Sequence, residues 1–224
     1  MRRSVLLLAA LAVALAGCGG DNQSGSPATT AQAETTTSAQ TAAGACTKAT
    51  QQTHNRTLSN EHLKLDPSKT YRLVFDTNCG SFTVTLNQKL APNATGSLVS
   101  LAKRGFFDDT FFHRIVPGFV IQGGDPTGTG TGGPGYETHD TVPADAKYTH
   151  GVVAMAKTAT EPDGTAGSQF FVVTSADAGL PPQYAVVGKV TSGLDVVDRI
   201  GKLGNAQELP TRAVVISKVG VQTS

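Results

Sequence analysis

The sequence predicts a mainly β domain, a barrel or a sandwich, with two helices. Short apolar runs recur from Tyr71 to Val219, some alternating and some continuous, each the length of a strand. Glycine, proline and asparagine punctuate them. Only Pro92–Arg104 and Gly193–Leu203 show helical spacing, so strands dominate the folded part.

Taken in order, Tyr71-Arg-Leu-Val-Phe-Asp76 and Ser81-Phe-Thr-Val-Thr-Leu86 alternate at period two around Thr77-Asn-Cys-Gly80, which gives a β-hairpin. Pro92 and Asn93 open a helix to about Arg104, with Ala94, Leu98 and Leu101 on one face and Gly105 as its stop. Phe111–Ile115 and Phe119–Gln122 read as strands meeting at the Pro117-Gly118 bend. Gly123–Gly135 is a Gly/Thr/Pro loop without regular structure. Gly151–Ala156, Gln169–Thr174 and Ala185–Val190 are further strands. Leu194, Val197 and Ile200 mark the second helix, and Ala213–Val219 is the last strand.

Ahead of this domain, Met1-Arg2-Arg3 and the apolar run Val5–Ala16 have the make-up of a secretory signal. The run is shorter than the roughly 20 apolar residues a transmembrane helix needs. Leu15-Ala16-Gly17-Cys18 resembles a bacterial lipobox, which implies removal of residues 1–17 and lipidation of Cys18. The alternative is an ordinary signal peptide cut near Ala16. Residues 18–45 are rich in Thr, Ala, Ser, Gln and Gly, with almost no large apolar side chain. Such a segment cannot offset its ordering entropy and is expected to be a disordered tether, with an r.m.s. span of roughly 25–30 Å. Residues 46–224 then form the folded domain, expected to be a monomer held by its N-terminal lipid at the outer side of a cell membrane.

Loss of Arg2 and Arg3 takes the 18 basic residues to 16 against 17 acidic ones, a net charge near −1. That balance offers no basic face for nucleic acid. Cys46 and Cys79 are the remaining cysteines; outside the cytoplasm such a pair suits a disulfide, the alternative being two separate buried thiols. Two thiols make a poor zinc site, and His54, His62, His113, His139 and His150 show no ligand spacing, so neither a metal nor a cofactor is expected. The Gly123–Gly135 loop lacks the Gly-Lys-Ser/Thr of a phosphate cradle. Ser168 stands in no Gly-x-Ser-x-Gly elbow, which leaves hydrolysis unsupported.

Arg114 and Gln122 sit among Phe111, Phe112, Phe119, Val120 and Ile121. An arginine keeps its charge there and must find a carboxylate, a carbonyl or a ligand, unless its strand simply lets it reach solvent. The whole run Phe112-His-Arg-Ile-Val-Pro-Gly-Phe-Val-Ile-Gln-Gly-Gly-Asp125 resembles the signature of the cyclophilins, which are peptidyl-prolyl cis/trans isomerases. The resemblance extends from about Tyr71 to Val219. It implies a closed eight-stranded antiparallel barrel capped by two α-helices, with Arg114, Phe119 and Gln122 as the catalytic face.

Thr131-Gly132-Gly133 resembles the family's glycine loop, and Gly151-Val-Val-Ala-Met155-Ala156 the strand that lines the groove, with Lys157 where asparagine is usual. Gly167-Ser-Gln-Phe-Phe171 resembles the strand whose last phenylalanine floors the proline pocket. Substrate binding is thereby assigned to Val120, Met155, Ala156, Phe171, Leu180 and Tyr184. Two further departures matter: Gly179 stands where many members carry tryptophan, and Tyr184 where many carry histidine. The implied activity is isomerisation of Xaa-Pro bonds in extracytoplasmic polypeptides, assisting their folding. The alternative is a catalytically weak module that holds Pro-containing segments as a chaperone or scaffold.

Overall fold

The computed structural model describes residues 45–61 and 63–224. The signal, Cys18, the tether up to residue 44 and His62 lie outside the described residues. The chain runs β1 (Tyr71–Thr77), β2 (Gly80–Leu86), α1 (Pro92–Lys103), β3 (Thr110–Phe111), β4 (Arg114–Val116), β5 (Val120–Gly123) and β6 (Thr138–His139). It continues through β7 (Val152–Met155), β8 (Thr165–Ala166), β9 (Phe170–Val173), β10 (Val186–Ser192), α2 (Leu194–Gly201) and β11 (Val215–Thr223). Among the described residues, nine strands form one antiparallel sheet in the order β3-β11-β1-β2-β10-β7-β9-β5-β4, and β6 pairs with β8.

The run expected as a single strand, Phe111–Ile115, is divided. Thr110 and Phe111 pair with Ile216 and Val215 of β11, whereas Arg114, Ile115 and Val116 pair with β5. Between them Phe112 N–H donates to the Val214 carbonyl at 3.0 Å, and in β4 itself Ile115 N–H donates outward to the Glu208 carbonyl at 2.9 Å. The ladder is therefore nine strands with two edges, where eight in a closed ring were expected. The edges β3 and β4 are separated by only Phe112 and His113, so the sheet curls until its ends nearly meet. The β6–β8 pair was not foreseen, since strands of two residues show no period.

Strand pleating sends alternate residues to opposite faces. Ile115, Ile121, Val153, Met155, Phe170 and Val172 face the main core with Leu73, Phe75 and Phe82. Phe75 stacks on Phe82 at 4.8 Å, and Phe170 meets Phe112 edge-on at 6.1 Å. The intervening Val120, Ala154, Phe171 and Val173 form a second, outer cluster around Tyr148. That outer face carries the site.

Helix α1 has no side-chain cap of its own. Asp140 supplies one from a distance, accepting the Asn93 and Ala94 N–H groups at 2.9 and 2.8 Å. Ala94, Leu98 and Leu101 are buried as expected. The N-terminal segment closes the helix's other side so tightly that a Cβ on Gly96 would lie 2.0 Å from the Leu63 carbonyl oxygen. In α2, Val197 and Ile200 are fully buried and Leu194 packs at the margin of the core.

Cys46 and Cys79 are joined in a disulfide. From there the N-terminal segment runs as a strap, with His54 N–H donating to the Pro126 carbonyl and Leu58 N–H to that of Pro134. Arg56 Nη1 donates to the carbonyls of Gly105, Phe106 and Asp108 at 2.7–3.0 Å, satisfying the chain just beyond α1. The strap thus braces the Gly-rich loop from outside.

Candidate active site

Register brings the predicted residues together. Arg114 pairs with Gln122, Gln122 with Phe171, and Phe171 with Ala154, a row across β4, β5, β9 and β7. Directly opposed residues share one face of a sheet within side-chain contact. Above this row lies a cavity of about 200 Å³. Arg114, Phe119, Val120, Gln122, Ala156, Phe171, Leu180 and Tyr184 all line it, together with Lys157.

Met155 does not. It is fully buried in the main core, opposite Phe170. Period two puts Ala154 and Ala156 outward and Met155 inward, so its assignment to substrate binding is corrected.

The polar side of the cavity is a relay of hydrogen bonds. Arg114 Nε donates to Glu208 Oε2 at 2.6 Å and Nη1 to Gln122 Oε1 at 3.3 Å. Gln122 Nε2 donates to Gln169 Oε1 at 3.0 Å, and Gln169 Nε2 donates to the carbonyls of Gly130 and Gly132, each at 2.9 Å. The amides of the same two glycines donate to Asp125 Oδ2 at 2.7 and 3.1 Å, while Thr127 gives both its N–H and its hydroxyl to Oδ1. Gly132 has to be glycine, since a Cβ would lie 2.0 Å from Asp125 Oδ1.

Asp125 is fully buried. Burial pushes its carboxyl upward, but the hydrogen bonds from Thr127, Gly132 and Gly130 outweigh that and hold it below the usual carboxylate range. Beside Arg114, His113 is 8% exposed and neither ring nitrogen has a partner. Burial lowers its pKa; the Asp125 carboxylate opposes the shift and Arg114 adds to it.

The apolar side is set by packing. Phe171 meets Tyr184 edge-to-face at 5.5 Å, and Tyr184 meets Tyr148 in the same way at 5.9 Å. The buried Tyr148 hydroxyl donates to the Tyr184 carbonyl and accepts the Tyr184 N–H, both at 2.9 Å, which staples the 177–184 loop over the floor. Lys157 has a side chain only 4% exposed. Its Nζ donates to the carbonyls of Thr158 and Glu161 and stands 5.8 Å from the Tyr184 ring centroid. Gly179 adopts φ 61°, with open space where a Cβ would stand.

A larger cavity of about 700 Å³ adjoins this one through Gln122, Ala156 and Lys157. Its far wall is the strap, at Asn55, Arg56 and Thr57.

Sequence reasoning gave no role to Asp125, Gln169, Tyr148, Lys157 or Glu208. An aspartate followed at close spacing by Thr127, Gly130 and Gly132 was the available sign of a loop folded around a carboxylate. Nothing local marks Glu208, which lies 94 residues from Arg114.

Residues 72–221 match the family model described as cyclophilin type peptidyl-prolyl cis-trans isomerase/CLD. A peptidyl-prolyl cis-trans isomerase-like 1 of Aspergillus oryzae is 39% identical over 154 residues, covering 66% of this chain and 94% of that protein. The protein of the same name in Bos taurus is 40% identical over 148 residues, or 64% and 87% of the two chains. A crystal structure of a cyclophilin type peptidyl-prolyl cis-trans isomerase from Cryptosporidium parvum superposes with a TM-score of 0.63 at 31% identity, covering 68% of this chain and 98% of that one. A second structure of the C. parvum protein, in the presence of the dipeptide Ala-Pro, gives 0.62 at 30% identity, with 67% and 98% covered. By sequence and by fold, this chain belongs to the cyclophilin-type peptidyl-prolyl cis-trans isomerases.

Proposed function

We propose that the chain isomerises Xaa-Pro bonds of extracytoplasmic polypeptides in the Arg114–Phe171 cavity, acting as a monomer and assisting their folding. Rotation about the bond is opposed by ~18–20 kcal/mol because it breaks amide resonance. No bond is cleaved, so whatever prefers the twisted amide over either planar form is catalytic. As the amide twists, the prolyl nitrogen becomes pyramidal and regains a lone pair. A guanidinium donating to that lone pair binds the twisted state better than the planar one. Arg114 carries five N–H groups, of which Glu208 and Gln122 engage two, leaving three for the substrate.

A rate gain of about 10⁵ requires ~7 kcal/mol, and one charge-assisted hydrogen bond contributes about 1.5–3. The remainder falls to the preorganised, partly dry cavity. Phe119, Val120, Phe171 and Leu180 hold the proline ring, Ala156 flanks the preceding residue, and Gln122 anchors a backbone carbonyl while orienting Arg114. The observation that carries this reading is the gathering of these side chains, from three strands and the segments beside them, around one small cavity. A protease-coupled Xaa-Pro peptide assay tests it: the wild type should accelerate isomerisation and Arg114→Ala should lose most of that acceleration. Peptide binding without turnover by the wild type would select the chaperone or scaffold reading instead.

The extracytoplasmic placement is supported by the signal-like N-terminus and by the Cys46–Cys79 bridge, since disulfides persist where thiols are not kept reduced. Lipid on Cys18 should send the native protein into the detergent phase and leave Cys18→Ala in water. Aqueous partitioning of both refutes the anchor. Stable anchoring calls for two or more acyl chains, because one binds membranes only marginally.

A further inference from the structure

Glu208 occupies a backbone conformation that favours glycine. Its φ is 63°, and only Asp109 among the described non-glycine residues shares that region. The turn around it is held from several directions. Asn205 Oδ1 accepts the N–H groups of Gln207 and Leu209 at 2.9 and 3.0 Å, and Glu208 N–H donates to the Asn205 carbonyl at 3.0 Å. Gly204 and Pro210 form a bridge across its base. The Glu208 carbonyl takes the N–H of Ile115, the residue after Arg114, and its carboxylate takes Arg114 Nε–H at 2.6 Å. With side chains 36% and 48% exposed, this ion pair adds little to stability. Stability alone would favour glycine at this position.

We propose that Glu208 is a positioning residue for isomerisation. Holding Nε–H fixes the plane of the guanidinium. With Gln122 on Nη1, the fork has lost its rotations before a substrate arrives, and its three unengaged N–H groups keep one orientation toward the cavity. The proposal rests on the role given above to Arg114.

Glu208→Gly removes the carboxylate while leaving a residue suited to the backbone. Its melting temperature should equal or exceed that of the wild type, while kcat/KM falls about ten- to a hundredfold, the effect of losing one charge-assisted hydrogen bond. Glu208→Gln keeps an acceptor oxygen for Nε–H and should recover most of the activity. In ¹⁵N NMR, the Arg114 Nε–H signal should be protected from exchange in the wild type and in Glu208→Gln, and lost in Glu208→Gly. Wild-type kcat/KM in Glu208→Gly, with Arg114→Ala strongly impaired, overturns the positioning role and leaves that of Arg114 standing. Full turnover by Arg114→Ala overturns the underlying reading. A Glu208→Gly variant that loses activity and melting temperature together, without rescue by glutamine, assigns Glu208 to the architecture of the turn and also overturns the proposal.

Discussion

On one side of the cavity Arg114, Gln122 and Gln169 are fixed by hydrogen bonds that end at Glu208 and Asp125; on the other, Phe171 and Tyr184 are fixed by packing against Tyr148. Arg114, Gln122, Gln169 and Glu208 on the polar side are at least partly exposed and their bonds exchange with water, so each contributes little to folding and much to orientation, with the buried Asp125 as the fixed end. The apolar side belongs to a buried cluster, so the surface offered to a proline ring also holds β5, β7 and β9 together. Activity and stability should separate on the first side and fall together on the second.

The largest effect tests that separation directly. Arg114→Ala should lower kcat/KM by about 10²–10³, as expected for a preorganised donor to a transition state, with little change in melting temperature. Phe171→Ala should lower activity as well and destabilise the fold by roughly 3–5 kcal/mol, because a buried aromatic leaves a cavity. Denaturant unfolding of both variants beside the isomerase assay decides. If Arg114→Ala unfolds as readily as Phe171→Ala, the two sides do not differ in kind.

A smaller effect sharpens the polar side. Gln169 links the Gly130 and Gly132 carbonyls to Gln122, so Gln169→Ala should loosen Gln122 without touching Arg114. Losing about 1 kcal/mol of orientation corresponds to roughly a fivefold loss of kcat/KM. Combined with Gln122→Ala, the losses should be less than additive, because both changes cut one chain of bonds. Full additivity would mean that the relay does not transmit orientation.

Much of the apolar side was legible in the sequence. Period-two alternation puts Val120 and Gln122 on one face, and the register sets Phe171 opposite Gln122, while Phe119, in the turn before β5, follows from the Phe112–Asp125 motif. The same alternation, applied within Gly151–Ala156, would have sent Met155 inward; naming Met155 and Ala156 together overrode it. The hairpin and both helices were readable because their signals are local. The split of Phe111–Ile115 was not, since a continuous apolar run looks the same whether it pairs on one edge or two. The polar side escaped for a related reason. Glu208 reaches Arg114 through a turn assembled by tertiary contacts, and no spacing in the sequence encodes that meeting.

The smallest expected effect concerns His113, which touches both descriptions: it neighbours Arg114 yet lies in the interior, with both ring nitrogens unpartnered. Burial holds its folded pKa below the unfolded value of about 6.5. The unfolded chain therefore binds more protons in acid, and stability is fully present above about pH 6.5 and declines as pH falls below it. Asp125 acts in the same direction in a lower window: its folded pKa is depressed, so its contribution is present above about 3.9 and is lost as pH falls through the folded value. Between pH 7.5 and 5.5 the His113 effect should operate without that of Asp125. His113→Phe should flatten the fall in melting temperature over that range. At pH 7.5 it should match or exceed wild-type stability, since an apolar ring leaves no unpaired nitrogen buried. Turnover per folded molecule should stay constant across the range, because Arg114 keeps its charge. Parallel pH slopes for the wild type and His113→Phe would remove His113 from the account. Turnover that falls with pH in the wild type alone would show that the imidazole acts on Arg114 and that the interior and the polar side are coupled.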